Sequence, residues 1–157
     1  ANASFVSREA SISNMQNVKL KGMNIIEKKV TITAKTPIKL GKYTIIQHET
    51  CIDSSENGEG TTKIEDFVLI ESHCRIQCSF IGSGTWIGKG AILGKGAVIA
   101  DHVQIDSNAI VMPFACIPPY TRVTVNGMWI DLPGGAFKEQ IQQHTQLLYD
   151  TFSMMVV

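Results

Sequence analysis

The chain has no excess of charge of either sign: fourteen Lys and Arg side chains balance fourteen Asp and Glu across 157 residues. Without a basic surplus there is no electrostatic case for nucleic acid or an anionic membrane. A long hydrophobic run is also missing. Pro113, Pro118 and Pro119 interrupt the most apolar stretch, which argues against a membrane-crossing helix. Ser7, Arg8 and Glu9 break the opening segment early, so no signal peptide is expected, and the absent initiator Met suggests a trimmed chain or a fragment.

Cysteine is scarce and poorly spaced for metal. Cys74 and Cys78 form a Cys-x3-Cys pair beside His73, but Cys51 and Cys116 do not make a second pair. Packed thiols in a reducing, intracellular compartment are the expectation. No Ser/His/Asp arrangement, phosphate-cradling glycine loop or paired-carboxylate site is evident. A chain of this length supports one domain.

What the chain does have is a six-residue beat. Ile81, Ile87, Leu93, Ile99, Ile105, Val111, Ile117 and Val123 recur at every sixth position. Four residues after each comes a small or β-branched residue, among them Thr85, Ala91, Ala97, Val103, Ala109, Ala115 and Thr121. Helices repeat near 3.6 residues and strands at 2, so neither produces this pattern. A hexapeptide repeat does, as the signature of a parallel β-helix with triangular coils. Residues eighteen apart then stack, giving interior ladders Ile81–Ile99–Ile117, Ile87–Ile105–Val123 and Leu93–Val111. Gly82, Gly88 and Gly94, next to the inward residue, are read as easing backbone angles at the corner.

Upstream, Ile64, Ile70 and Ile76 hold the beat before a five-residue step to Ile81. Leu40, Ile46 and Ile52 fall in phase, as do Ile26, Ile32 and Ile38, and Val6, Ile12 and Val18. About six or seven coils are expected. The polar run at residues 53–62 reads as a loop leaving a corner.

Pro133-Gly134-Gly135 ends the repeat, and Phe137, Ile141, Leu148, Phe152 and Met155 follow at helical spacing. The organisation expected is a β-helix over 1–135 and a C-terminal segment over 136–157, with an amphipathic helix at 136–154. Packing along a prism face or covering its end are both open, as is a swinging, partner-binding helix.

The residue before each inward aliphatic residue points outward. Trp86, Ile92, Val98, Ile110 and Cys116 occupy such positions, with Arg75 next in line to Ile92 and Ile110. Exposed patches of this kind mark interaction surfaces. Arg75, Trp86, Ile92, Ile110 and Trp129 are therefore the candidate protein interface, unless the terminal helix covers one of these faces. Trp129 is either a core cap or an end-on docking residue. Catalytic, cofactor-binding and metal-binding residues are not assigned.

The irregularities of the repeat carry a resemblance. Val6-Ser7-Arg8, then Met15-Gln16-Asn17-Val18-Lys19-Leu20-Lys21-Gly22, is similar to the opening coil of the dynactin subunit 5 family. The short step at Ile76-Gln77-Cys78-Ser79-Phe80 falls where that family drops a residue. Ile105-Asp106-Ser107-Asn108, Ile117-Pro118-Pro119-Tyr120-Thr121, Asn126-Gly127 and the helix bearing Leu147-Leu148-Tyr149 resemble its C-terminal third. The central loop is shorter than that family's. The resemblance implies an all-β fold, a left-handed parallel β-helix with a C-terminal helix, where ordinary crossover rules favour the right-handed form. It also implies a non-catalytic, cofactor-free subunit of dynactin's pointed-end complex in the cytoplasm and cytoskeleton, supporting dynein–dynactin cargo engagement. The implied partners are a second β-helix subunit, the actin-related pointed-end protein and the zinc-binding subunit.

Hexapeptide enzymes are the alternative. Aligned to gamma-class carbonic anhydrases, the zinc ligands fall at Asp53, Ser72 and Gln77, and the Arg-Gly-Asp motif falls at Thr33-Ala34-Lys35. None of the three ligand positions is histidine. An acyltransferase acting as a homotrimer would need a general-base histidine, for which His48, His102 and His144 are available. His102 follows Asp101, yet neighbours on a strand point to opposite faces.

Overall fold

A computed structural model describes residues 3–54 and 60–155, so Ser55 to Glu59 of the expected loop lie outside the described residues. Three sheets form the walls of a parallel solenoid of about six turns. The first face carries Phe5–Val6, Ile25–Ile26, Ile45–Ile46, Leu69–Ile70, Trp86–Ile87, Gln104–Ile105 and Thr121–Val123. The second runs from Ser11–Ser13 to Ile110–Val111, and the third from Val18–Leu20 to Cys116–Ile117. A helix, α1, spans Gly134–Met155.

The interior ladders follow the six-residue beat. Ile87 pairs with Ile105 and Ile105 with Val123, Leu93 with Val111, and Ile81 with Ile99, which pairs with Ile117. Ile81, Ile87, Leu93 and Ile99 are all fully buried. The five-residue step is also real: Ile87 sits beside Ile70 and Leu93 beside Ile76, each 17 residues apart.

Upstream coils are longer than eighteen residues. Ile26 pairs with Val6 and Ile46 with Ile26, a step of 20 residues. The extra length sits on the third face, where the strands Val18–Leu20 and Ile38–Leu40 each supply two inward residues. The loop is narrower than expected, because Asp53 ends one strand and Thr62 begins the next.

The corner glycines work by a different route from the one expected. A Cβ on Gly82 would lie 2.5 Å from the backbone of Ala100 and Asp101 in the next coil, so the position needs close approach rather than an unusual torsion. The left-handed torsion falls two residues later, at Gly84 with φ +68°. At the equivalent corners His102 and Tyr120 adopt it without being glycine.

Helix α1 begins two residues before the expected start and lies along the first face. Phe137, Ile141 and Tyr149 are buried against Ile25, Ile45 and Leu69, with Phe5, Trp86, Leu148 and Phe152 at the margins. The outward residues of this face are apolar from Phe5 to Trp86, so a helix with an apolar stripe buries both surfaces at once. Met155, expected on the apolar stripe, is 77% exposed and lies outside the apolar cluster that joins the helix to the first face. The Tyr149 hydroxyl donates to the Ala3 carbonyl, tying the helix to the chain start.

Candidate interaction surface

The second face is free of α1 and carries the expected outward ladder. Arg75 pairs in register with Ile92, and Ile92 with Ile110. Ile92 is 37% exposed and Ile110 55%. Ile110 lies on the last strand of its sheet, with no strand paired beyond it among the described residues. The following corner adds exposed Met112 and Phe114.

Trp129 is not a core cap, being 52% exposed. It opens the strand Trp129–Asp131, which pairs antiparallel with Thr121–Val123 and closes the edge of the first face. Trp129, Met128 and Ile130 are all exposed. The last turn of the solenoid thus displays most of the large exposed apolar side chains among the described residues.

Trp86 has a different environment. It is half-buried at the margin of α1, its ring stacks on His144 at 5.4 Å, and its indole N–H donates to the Glu71 carboxylate. The chain's own helix therefore engages this side chain. The signal was present in the doublets Ile25-Ile26, Ile45-Ile46 and Leu69-Ile70, which are apolar on both sides of the sheet.

His48 and His73 lie side by side, while His144 stacks on Trp86 and His102 lies against Tyr120. His48 Nδ1 lies 3.2 Å from Glu27 Oε1 and His73 Nε2 3.0 Å from Glu49 Oε2, with the two rings edge-on at 5.4 Å. His102 sits at a left-handed corner beside Tyr120, in a cavity of about 230 Å³ lined also by Ser83, Gly84, Lys138 and Gln142. Its buried Nδ1 has no hydrogen-bond partner. Burial pushes its pKa down, opposed by Asp101 and aided by Lys138. Among the described residues no hydrogen bond joins Asp101 to the ring. Its carboxylate accepts the Ser83 backbone N–H at 2.9 Å and fastens one coil to the next.

Among the described residues no group of three or more His, Cys, Asp or Glu could hold a metal ion. Cys74 packs in its corner and donates to the Gly88 carbonyl, and burial pushes its thiol up to about 11. Burial pushes Cys78 up to about 12, whereas Cys51 and Cys116 are exposed. Among the described residues no helix is long and apolar enough to cross a membrane.

The stacked coils, corner chemistry and docked helix define a hexapeptide-repeat β-solenoid protein. Solved structures of this class share the fold at low identity. The N-acyltransferase AntD from Bacillus cereus, in complex with dTDP and 3-hydroxybutyryl-CoA, is 15% identical with a TM-score of 0.74, covering 94% of this chain and 88% of that one. A hexapeptide transferase family protein from Anaplasma phagocytophilum is 19% identical with a TM-score of 0.68, covering 98% and 93%. The acetyltransferase domain of PglB from Neisseria gonorrhoeae FA1090, in complex with acetyl coenzyme A, is 18% identical with a TM-score of 0.68. That match covers 82% of this chain, which spans only 57% of the PglB chain's length. Comparison with curated proteins finds no match. The chain belongs to the Dynactin subunit 5 family, which it matches over residues 1–155.

Proposed function

We propose that this protein is a non-catalytic assembly subunit of the dynactin pointed-end complex, acting through protein–protein contacts to support dynein–dynactin cargo engagement in the cytoplasm. The observation that carries this reading is the family match, which runs through the solenoid and the helix alike. The apolar last turn, Trp129 included, and the Arg75–Ile92–Ile110 ladder are the surfaces it would use. The partners are a second β-helix subunit, the actin-related pointed-end protein and the zinc-binding subunit. A rigid prism suits this role, since stacked coils hold its patches in fixed register.

The second reading is a hexapeptide acyltransferase. His102 favours it, with an unpartnered ring nitrogen in a cavity and a fold shared with acyltransferases. Co-expression with a second β-helix dynactin subunit separates the two. A one-to-one complex by native mass supports the assembly role. A homotrimer that ignores the partner and binds acetyl coenzyme A, with loss of binding in His102→Asn, supports the enzyme.

A further inference from the structure

The third face of the solenoid carries a ladder of like charge. Lys19 pairs with Lys39 and Lys39 with Lys63, in register on successive coils, and all three side chains are exposed. Each sits between inward neighbours that fix its direction: Val18 and Leu20, Ile38 and Leu40, Thr62 and Ile64. Like charges directly opposite one another on adjacent strands repel. Of the three, only Lys63 has an ion pair among the described residues, at 3.1 Å from Glu65. Lys21 adds a fourth ammonium to the same groove. Asp66 borders it, but its carboxylate already accepts the Lys42 backbone N–H at 2.8 Å.

The rest of the face changes character. Phe80 pairs with Lys63, Val98 with Phe80 and Cys116 with Val98, so the outward row runs from basic to apolar along the solenoid axis. Helix α1 packs on the first face, away from this one.

We propose that the third face docks an acidic protein segment lying along the solenoid axis, with carboxylates over Lys19, Lys39 and Lys63 and apolar side chains over Phe80, Val98 and Cys116. Carboxylates placed between the ammonium groups relieve the repulsion within the ladder. Six rungs at about 4.8 Å span about 24 Å, which an extended segment of about seven residues covers. The charge favours a peptide over a membrane, because the four lysines share one narrow groove that Glu65 and Asp66 border. It favours a peptide over nucleic acid because the chain is neutral overall and its basic rungs carry no aromatic platform. This docking role goes beyond membership of an assembly, and its test uses no other dynactin subunit.

The probe is a fluorescein-labelled peptide of about nine residues, alternating Glu and Asp for its first half and ending in Leu, Phe and Val. Fluorescence anisotropy with the full chain at low salt should show saturable binding that weakens in high salt. The Lys19→Gln/Lys39→Gln variant should bind about tenfold more weakly, as expected for the loss of two exposed ion pairs. Its circular dichroism should be unchanged, and Lys39→Gln alone should keep or raise the melting temperature at low salt. Absence of saturable binding, equal affinity of the double variant, or equal binding of a Lys-rich control peptide would overturn the proposal. So would capture of phosphatidylserine vesicles by the native chain, lost in the double variant, with no peptide binding.

Discussion

Trp86 and His144 stack face to face, 5.4 Å between ring centroids and 25° between ring planes, and so join the wall of the solenoid to the helix that covers it. The contact sits at the margin of a larger apolar seam in which Ile141 is fully buried and Phe137 nearly so. Burying side chains of this size contributes about 1.5–3 kcal/mol each, whereas an aromatic pair adds about 0.5–1.5 kcal/mol. The apolar seam therefore holds the helix, and the stack adds a smaller contact at its margin.

Ile141→Asp should detach α1, because it puts a carboxylate into the buried seam. Limited proteolysis should then cut within residues 134–155 while the interior strands stay protected. His144→Ala should weaken docking by only about 1 kcal/mol and leave the helix in place. Equal protease sensitivity of the two variants would contradict the seam as the main attachment.

Much of this architecture is legible in the residues themselves. The beat from Ile81 to Val123 sets the ladders because each inward residue must find an apolar neighbour one coil away. The five-residue step before Ile81 is equally visible. The 20-residue coils are harder to read, since Val18-Lys19-Leu20 and Ile38-Lys39-Leu40 place two inward residues where one is expected. The fate of Trp86 depends on which face α1 covers, and that choice rests on a row of outward residues spread from Phe5 to Leu69. The lysine ladder escapes a linear reading for the same reason: Lys19, Lys39 and Lys63 are neighbours only once the coil lengths are known.

Cysteine reactivity should divide the thiols cleanly. Burial pushes Cys74 up to about 11 and Cys78 to about 12, while Cys51 and Cys116 are exposed. An alkylating reagent at about pH 8 should label Cys51 and Cys116 in the native protein and reach the other two only on unfolding, because the thiolate is the reacting species. Peptide mapping that finds rapid native labelling of Cys74 would contradict the packed corner.

Acid should destabilise the fold in part through His102. Its folded pKa lies below the ordinary value of 6.5, chiefly because burial disfavours the charged ring. The unfolded chain therefore binds the proton first, and stability falls as the pH drops from about 6.5 towards the folded pKa. His102→Asn suits the left-handed corner, since Asn108 adopts φ 62° at another corner. The melting temperature of this variant should fall less between about pH 7.5 and 5.5 than that of the native chain. Identical slopes would contradict a buried, uncharged His102 ring as a source of acid sensitivity.

The second face should tolerate charge. Ile110→Asp changes a side chain that is 55% exposed and remote from α1, so the circular dichroism and melting temperature should hold. Binding to the second β-helix subunit should weaken at least tenfold by titration calorimetry, as expected when a carboxylate enters an apolar contact. Unchanged affinity in both Ile92→Asp and Ile110→Asp would place the contact elsewhere.

The most direct measurement is affinity purification of the tagged native protein in mild salt, with copurifying chains identified by mass spectrometry and the complex sized by native mass. The assembly role predicts actin-related protein, a second β-helix subunit and dynein components in fixed stoichiometry with one copy of this chain. Recovery of the chain alone, at three times its monomer mass and with acetyl coenzyme A transfer that requires His102, would contradict it.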